Sequence, residues 1–399
     1  MSQNKCLEDV KILDTSQFLS GPYASSLLAD LGAEVWKVEP PIGETMRLYT
    51  LFKPSIAPMM SLLHRNKKAI TLNLKTKEGK EIFKGLIKNV DVLLENNVPG
   101  YMDKLGLGYT VLKEINPGLV YCAISGFGQT GPLRDRTAFD MIAQATGGIM
   151  SVLEREDRAP TVFIADLGAG VHAAYGILAA LHYRDKTGIG QIVDISMQDI
   201  MYAFNFRAVI RGALPEDSLQ REDQERITVP IYHSFKCKDG YVAIVAITDR
   251  QWKRVVLAMD RKDLLRVRKY RNVIKRIEYG DEILEIVESW TKTKTVAEVV
   301  EIMENAKIPC GPIVPYKEVS NHPQILAREM VREFMVDDPE KKGEKRKIKI
   351  PGILIKLSET PGDIWTLAPG LGEHNEEIYE GILGYNKEKL IEFKKKGII

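Results

Sequence analysis

The feature that most constrains the fold of this chain is the alternation, over its first 200 residues, of short β-rich runs with helix-period segments. The runs are rich in Val, Ile and Leu, and they predict six strands at Val10–Asp14, Glu34–Glu39, Ala69–Leu74, Val90–Leu94, Leu119–Ser125 and Gln191–Ser196. Amphipathic or Ala-rich helices are predicted between them, at Lys77–Lys88 and Leu167–Arg184 among others. The alternation predicts a Rossmann-like, doubly wound α/β domain, with a largely parallel sheet covered by helices on both faces.

The character of the sequence changes after residue 212. An acidic, polar stretch at Leu214–Glu225 indicates a linker, and Asp239-Gly240 between two β-rich runs predicts a hairpin. Asp337–Lys349 carries dense mixed charge, which is typical of a solvated hairpin. We therefore predict a large domain beginning with residues 1–212, a smaller α+β domain at 226–310, and a return segment at 311–399 that completes the large domain.

Composition excludes several classes of protein. Lys and Arg number 56 against 54 Asp and Glu, so no basic field attracts nucleic acid. No apolar run approaches the roughly 20 residues that a membrane helix needs, and Met1–Val10 lacks the apolar centre of a secretory signal. We expect a cytoplasmic protein. The four cysteines are far apart and no His has metal-site spacing, so we expect no metal and no disulfide framework.

A glycine pattern at Gly126–Gly131 matches G-x-G-x-x-G and follows a predicted strand. A dinucleotide site needs a helix that opens at the third glycine, so that the helix N-terminus faces the pyrophosphate. Here Pro132 follows at once, and no helical period begins before about Asp140. The pattern therefore does not indicate a nicotinamide-dependent dehydrogenase.

A longer series of motifs, in order along nearly the whole chain, resembles the class III coenzyme A transferases, which include formyl-CoA and carnitine CoA transferases. The matching segments are Leu13-Asp14, Ser20–Ala24, Leu28–Val35, Lys37–Pro41, Asn66–Lys68, Leu72–Lys75, Glu95-Asn96 with Pro99-Gly100, Leu105–Tyr109, Ser125–Pro132, Ala165-Asp166, Gly176–Leu181, Gly188–Gln191, Ile308–Pro312 and Leu371–His374. The resemblance implies a large Rossmann-like domain that binds coenzyme A, a small domain, and two subunits threaded through each other like links of a chain.

The resemblance also implies the chemistry. An aspartate carboxylate of the family attacks the acyl-CoA thioester, and the mixed anhydride that forms is opened by CoA to give an aspartyl-CoA thioester. The matching residue here is Asp166. No permanently bound cofactor is expected, because coenzyme A enters as part of the acyl-CoA substrate, and the partners are small molecules and a second copy of the chain.

The residues around Asp166 agree with this role. Asp166 precedes an Ala-rich helix, whose dipole is expected to keep the carboxylate ionised. Gly168 and Gly170 are expected to keep the first turn free of bulk, so that a substrate can approach. The sequence alone leaves open the alternative that Asp166 is only the N-cap of that helix.

Coenzyme A carries a 3′-phosphate and a pyrophosphate, so its site needs basic groups and backbone amides. The resemblance assigns CoA binding to Leu19, Ser20, Leu72, Asn73, Leu74, Lys75, Asn96, Asn97 and Lys104, with Lys75 and Lys104 as phosphate partners, and we add Arg136 as a further CoA-binding candidate. Arg136 can equally serve the acid substrate or a surface ion pair. The acyl pocket is assigned to Gln17, Phe18, Gly21 and Tyr23, with Tyr232 as a candidate lid residue.

Two alternatives stay open. Acyl-CoA racemases of the same superfamily use a histidine in a Gly-His-Asp segment, whereas this chain has Ala138-Phe139-Asp140 there, and Phe cannot accept a proton. A non-catalytic acyl-CoA-binding protein is the second alternative. The segment Ile227–Phe235 also lacks the glycine-rich loop of formyl-CoA transferases, which argues against oxalate and formyl-CoA as substrates. No motif identifies the two acids that would be exchanged.

Overall fold

The computed structural model describes residues 5–52, 57–153, 159–213, 231–338, 341 and 343–399. These residues form two compact units, one from the described part of Met1–Ala213 with Gln324–Ile399 and one from the described part of Leu214–Pro323.

The first unit is built on a six-stranded sheet in which every neighbouring pair of strands is parallel. Its strands are β1 (Lys11–Asp14), β2 (Glu34–Glu39), β3 (Lys67–Thr71), β4 (Val92–Glu95), β5 (Val120–Ser125) and β6 (Ile192–Ser196). They lie in the order β3-β2-β1-β4-β5-β6. The predicted parallel α/β sheet is confirmed. The main shift in position is in β3, whose predicted start and end lie two and three residues too late, because Leu72 to Thr76 already turn toward the next helix.

Helices cover both faces of this sheet. They are α1 (Ser20–Ala29), α2 (Thr45–Phe52), α3 (Ala57–His64), α4 (Lys77–Ile87), α5 (Tyr101–Lys104), α6 (Tyr109–Ile115), α7 (Asp140–Thr146), α8 (Ile149–Val152), α9 (Ile164–Thr187), α10 (Met197–Phe204) and α11 (Phe206–Gly212). Alternate strand residues serve opposite faces, as the pleat requires. Ile12 packs in a core with Ala169 and Ile177 of α9, whereas Leu13 packs in a second core with Phe83 of α4.

The second unit has its own core of residues such as Phe235, Trp252 and Val287. It contains an antiparallel sheet of β7 (Ile231–Lys236), β8 (Tyr241–Ala246) and β9 (Cys310–Pro312), with helices α12 (Asp249–Ala258), α13 (Val273–Glu278), α14 (Gly280–Thr291) and α15 (Val296–Asn305). The hairpin predicted at Asp239-Gly240 is confirmed. The unit also keeps residues 311–323, assigned above to the return segment, because β9 pairs with β8 and Ile313 N donates to Tyr241 O at 2.9 Å.

The remaining elements are α16 (Pro323–Ala327), β10 (Val331–Asp337), β11 (Lys345–Pro351), α17 (Asn375–Gly381) and α18 (Lys387–Lys395). Strands β10 and β11 form the charged hairpin that was predicted. The C-terminal helices complete the second face of the large sheet, where Tyr379 Oη donates to Thr71 O at 2.8 Å.

Helix α9 is the one described helix that is long and apolar enough, by length and composition, to cross a membrane. Half of its most apolar window is nevertheless buried inside the chain, as in the core helix of a globular unit. Its outward face carries apolar side chains, among them Val171 and Tyr175.

Candidate active site

The strand order of the large sheet creates a crevice beside β1. Strands β1, β2 and β3 run outward in one direction, and the chain then returns to place β4 on the other side of β1. In parallel sheets of this kind, ligands bind at the carboxyl ends of the strands where the order reverses. The loops after β1 and β4 meet there, since Asn96 Oδ1 accepts from Gln17 N at 2.8 Å and Asn96 Nδ2 donates to Gln17 O at 2.7 Å.

A cavity of about 260 Å³ lies at this crevice. Its lining combines polar side chains with an apolar wall, and it consists of Gln17, Phe18, Ser20, Asn96, Asn97, Val98, Pro99, Ile124, Ser125, Gly126, Arg136, Thr137, Ala138, Phe139, Asp166 and Met197. The Phe18 and Phe139 rings meet edge to face at a centroid distance of 5.3 Å. The structure thus brings Asp166 together with six residues predicted above to bind the substrates: Gln17, Phe18, Ser20, Asn96, Asn97 and Arg136.

Asp166 lies inside the first turn of α9 instead of preceding the helix. The helix begins at Ile164, its N-cap residue is Phe163, and that cap makes no side-chain hydrogen bond. The free amides are satisfied by Asp140 instead, whose Oδ1 accepts from Ala165 N at 2.8 Å and from Asp166 N at 3.1 Å. The alternative that Asp166 is itself the N-cap is therefore wrong, and its carboxylate is left to face the cavity.

The expectation that the helix dipole keeps Asp166 ionised is also wrong, because the pKa of Asp166 is raised and not lowered. Burial, together with the negative charge of Asp140, raises the pKa of Asp166 to about 7, and a hydrogen bond from Ser20 only partly opposes the rise. Within the first turn the dipole favours a carboxylate by at most about 2 kcal/mol. Desolvation and a like charge nearby outweigh that contribution here.

The two glycines that follow Asp166 make room for helices and not for a substrate. A Cβ at Gly168 would lie 3.0 Å from Ile200 Cγ2, and one at Gly170 would lie 2.8 Å from Ser20 O. Both glycines therefore permit close approach of neighbouring helices, which corrects the interpretation made from the sequence. The approach at Gly170 brings the start of α1 against α9.

Other residues assigned from the resemblance lie elsewhere. Leu19 is buried immediately before α1, and Gly21 and Tyr23, in the first turn of α1, are not among the described residues that line the cavity. Tyr232 lies on β7 of the second unit with half of its surface exposed, and its lid role stays a prediction.

The segments after β3 and in α5 also lie outside the cavity lining. Leu72 is buried, Leu74 is partly buried, and the Asn73 side chain donates to Gly397 O at 3.2 Å. Lys75 and Lys104 are exposed. Because β3 and β4 are parallel to β1, the residues that follow them leave the same edge of the sheet.

Sequence reasoning missed Asp140. Its only local signal is a carboxylate at the start of α7, where Asp is common simply because it suits a helix N-terminus. Its partners are the amides of residues 165 and 166, on another helix. Among the described residues, no group of three His, Cys, Asp or Glu side chains could hold a metal ion.

Comparison with known proteins gives a consistent result. The family model of CoA-transferase family III matches residues 7–375. The chain is 36% identical to the succinyl-CoA–D-citramalate CoA-transferase of Chloroflexus aurantiacus, over 98% of each sequence. It is also 36% identical to the formyl-CoA:oxalate CoA-transferase of Streptomyces avermitilis, over 99% of this chain and all of that protein.

Solved structures agree. A CAIB/BAIF family protein from Brucella suis superposes with a TM-score of 0.76 at 28% identity, over 95% of this chain and all of that one. A protein from Mycobacterium tuberculosis superposes with a TM-score of 0.81 at 26% identity, over 94% of this chain and 99% of that one. The chain belongs to CoA-transferase family III.

Proposed function

We propose that this protein moves coenzyme A from an acyl-CoA donor to a free carboxylic acid, with the Asp166 carboxylate as the nucleophile. The observation that carries the proposal is the position of Asp166, which faces a cavity at the switch point of the sheet and has its own backbone amide satisfied by Asp140. A carboxylate held in this way is available for covalent catalysis, which divides one difficult transfer into easier steps.

In the proposed reaction an Asp166 oxygen attacks the thioester carbonyl, the C–S bond breaks, and CoA leaves as a thiolate. The product is a mixed anhydride between Asp166 and the acyl group. The thiolate then attacks the Asp166 carbonyl carbon, which releases the donor acid as a carboxylate and leaves an aspartyl-CoA thioester. The acceptor carboxylate attacks this thioester, the C–S bond breaks, and a second mixed anhydride and free CoA thiolate form. The thiolate then attacks the carbonyl carbon of the acceptor, so that new acyl-CoA leaves and the Asp166 carboxylate is regenerated.

The electrostatics of the cavity support this role. Because its pKa is raised to about 7, a substantial fraction of Asp166 is ionised at neutral pH, yet no cation pairs with it among the described contacts. A poorly solvated carboxylate is a better nucleophile, and exclusion of water protects the anhydride from hydrolysis. The main chain of Gln17 is fixed by the two hydrogen bonds with Asn96. We propose that the Gln17 side-chain amide donates a hydrogen bond to the oxyanion that develops at the thioester carbonyl.

We propose that the coenzyme lies along the carboxyl edge of the sheet. Ser20, Asn96 and Asn97 line the cavity with Asp166 and would contact the pantetheine end. Exposed Lys75 and Lys104, with the neighbouring backbone of Leu19 and Leu72 to Leu74, would meet the nucleotide and its phosphates. Lysine serves there as a point charge.

We propose that the exchanged acids are short dicarboxylic acids. The cavity of about 260 Å³ can hold a small acyl group, and Arg136 is the one basic side chain in its described lining. A guanidinium binds a second carboxylate through paired hydrogen bonds. The names of several relatives point the same way, since they pair succinyl-CoA with citramalate, malate or mesaconate.

A racemase is the weaker candidate for this site. Phe139 occupies the position of the racemase histidine, lies in the cavity wall and is 63% exposed. A phenyl ring cannot move a proton, so the α-proton exchange of a racemase has no group at that position.

The test is to trap the covalent intermediate. Purified protein mixed with succinyl-CoA and digested should give a peptide carrying CoA on Asp166, found by mass spectrometry. Asp166→Asn should lose the adduct and lower turnover by about a thousandfold or more. Asp260→Asn, at an exposed aspartate of the second unit, is the matched control and should leave both unchanged.

Two results would contradict the proposal: full turnover by Asp166→Asn, or an adduct on another residue. The same assay with dicarboxylic and monocarboxylic acceptors of equal chain length tests the proposed class of acids. Equal rates with the dicarboxylic and the monocarboxylic acceptors would contradict the proposal that the exchanged acids are dicarboxylic.

We also propose that the working protein is a dimer of two interlocked chains in the cytoplasm. The support for the dimer is the outward face of α9, where Val171, Tyr175 and Leu178 are 47%, 72% and 36% exposed. These residues are spaced by four and three positions, so they form one apolar stripe. A second copy of the chain would cover it.

A further inference from the structure

The turn between β1 and α1 carries two of the cavity residues in an unfavourable backbone conformation. Gln17 and Phe18 both face the cavity that holds Asp166. Phe18 has a φ of 63°, in the left-handed region that bulky side chains rarely adopt. Such a conformation persists only where the surrounding structure imposes it.

Five ionisable side chains lie together beneath this turn, and we call them the buried cluster. They are Asp14, Lys37, Glu44, His64 and Lys67, and each is 3% exposed or less. Lys37 Nζ lies 3.9 Å from Asp14 Oδ1 and 3.9 Å from Glu44 Oε2, and Lys67 Nζ donates to Asp14 Oδ2 at 3.1 Å. Two lysines thus face two carboxylates, which balances the buried charge.

The buried cluster makes direct contacts with the backbone of the turn. Asp14 Oδ1 accepts from Ser16 N at 2.9 Å, and Lys37 Nζ donates to Ser16 O. Glu44 Oε2 accepts from Phe18 N at 3.3 Å. Asn96, in the loop after β4, accepts from Gln17 N and donates to Gln17 O. Three consecutive residues of the turn are therefore held by side chains of other elements.

Glu44 is itself held in place. Its Oε1 lies 2.7 Å from His64 Nε2, and its backbone N donates to Glu39 Oε2 at 3.1 Å. Burial opposes its ionisation, but the Lys37 charge and His64 lower the pKa of Glu44 to about 2. The carboxylate therefore stays charged, and remains an acceptor for Phe18 N, throughout the neutral range.

Stability alone does not explain such a cluster. Replacing buried ion pairs with apolar residues of similar volume is often neutral or stabilising, because desolvation offsets the attraction between the charges. What an apolar replacement cannot supply is an acceptor for Phe18 N or a donor for Ser16 O. The contacts with the turn are thus specific to the charged residues.

We propose that Lys37 and Glu44 are positioning residues, which hold the Ser16–Phe18 turn so that Gln17 and Phe18 face the acyl group at Asp166. The inference rests on the proposed function, since it concerns the rate at which Asp166 is acylated. Neither residue lines the cavity, so each acts through the backbone of the turn.

The sharpest test compares two variants of one residue. Glu44→Gln and Glu44→Met are both neutral and similar in size, but only glutamine can accept from Phe18 N. Adduct formation on Asp166 is followed in single turnovers with saturating succinyl-CoA. We expect Glu44→Met to form the adduct about tenfold to a hundredfold more slowly than Glu44→Gln, because a misplaced group near the reacting atoms slows the reaction by such a factor. The melting temperatures of the two variants should be similar.

A second buried pair serves as control. Asp30 and Arg65 are buried to a similar extent and joined by a 2.6 Å contact, but they do not touch the turn. Asp30→Asn with Arg65→Met should cost stability without slowing adduct formation. If the two Glu44 variants form the adduct at equal rates, the buried cluster has only a structural role. The same conclusion follows if the control variant forms the adduct more slowly in proportion to its loss of stability.

Hydrogen exchange of the unmodified protein covers the case in which the variants do not fold. The amides of Ser16, Gln17 and Phe18 should exchange as slowly as those of β1, although they belong to a turn. Exchange at the rate of exposed loops would overturn the inference. If the parent forms no adduct on Asp166, the proposed function itself has failed, and this result differs from equal rates of the two Glu44 variants.

Discussion

Asp140 affects both the position and the ionisation of Asp166. Its carboxylate accepts from the amides of Ala165 and Asp166, which orders the first turn of α9. Its charge also raises the pKa of Asp166, in addition to the larger effect of burial. The same residue therefore orders the turn that carries the proposed nucleophile and makes that carboxyl group harder to ionise.

This arrangement predicts a pH dependence. The reactive form of Asp166 is the carboxylate, so kcat/KM should rise with pH and level off above about 7. In Asp140→Asn the nearby negative charge is absent and burial remains, so the pKa of Asp166 should fall and the plateau should be reached at lower pH. The activity at pH 6 relative to pH 8 is the measurement.

Asp135→Asn is the control for this prediction. Asp135 is an exposed carboxylate on the loop that precedes α7, and solvent screens its charge. Its profile should match that of the parent. A profile of Asp140→Asn that also matches the parent would contradict the role given to Asp140.

At the scale of elements, the site depends on how closely α1 approaches α9. The missing side chain of Gly170 lets the backbone of Ser20 come near the helix that carries Asp166, and a Cβ there would also lie 2.9 Å from Tyr23 Cδ1. Helix packing, and not the local sequence around Asp166, brings the start of α1 against the helix that carries Asp166.

Gly170→Ala should therefore lower both stability and rate. We expect a loss of about 1–3 kcal/mol, the usual cost of overpacking, measured by denaturant unfolding, and slower formation of the Asp166 adduct. Gly280→Ala is the matched control, since a Cβ at Gly280, which opens α14, would meet no atom within 4 Å. Parent-like stability of Gly170→Ala would mean that the helices are not packed as described.

At the scale of the whole molecule, α9 presents an apolar stripe on its outward face. The largest of its side chains is Tyr175, which is 72% exposed, and the nearby α10 and α11 add Tyr202 and Phe206. Contiguous apolar patches of this kind mark surfaces that another protein covers. A second copy of the chain is the partner that we propose.

Interlocking makes a distinct prediction. The protein should sediment at twice the 44.9 kDa of the chain. Tagged and untagged dimers, once mixed, should form no mixed dimers over hours, because threaded chains separate only by unfolding. Joint denaturation and refolding should produce mixed dimers and is the positive control. Rapid exchange would indicate simple face-to-face association, and a mass of 44.9 kDa would exclude the dimer.

The sequence predicted the architecture of the large unit well, because the periodicity of its apolar residues follows which face of each strand or helix is buried. Strand β2 was placed at its observed ends, and α4 ended within one residue of its prediction. The start of α9 was missed by three residues, because Ile164 to Asp166 have no capping residue before them and the cap comes from Asp140 on another helix. A cap supplied from a distance leaves no local signal.

By itself, the sequence determined the parallel α/β fold and singled out Asp166 as the candidate nucleophile, because these depend on local periodicity and on motifs in order along the chain. Only the tertiary structure decided the ionisation of that carboxylate and the conformation of the turn beside it. Desolvation, the Asp140 charge and the contacts of Lys37 and Glu44 act between residues far apart in the chain. Their energies depend on distance in space, which residue order does not record.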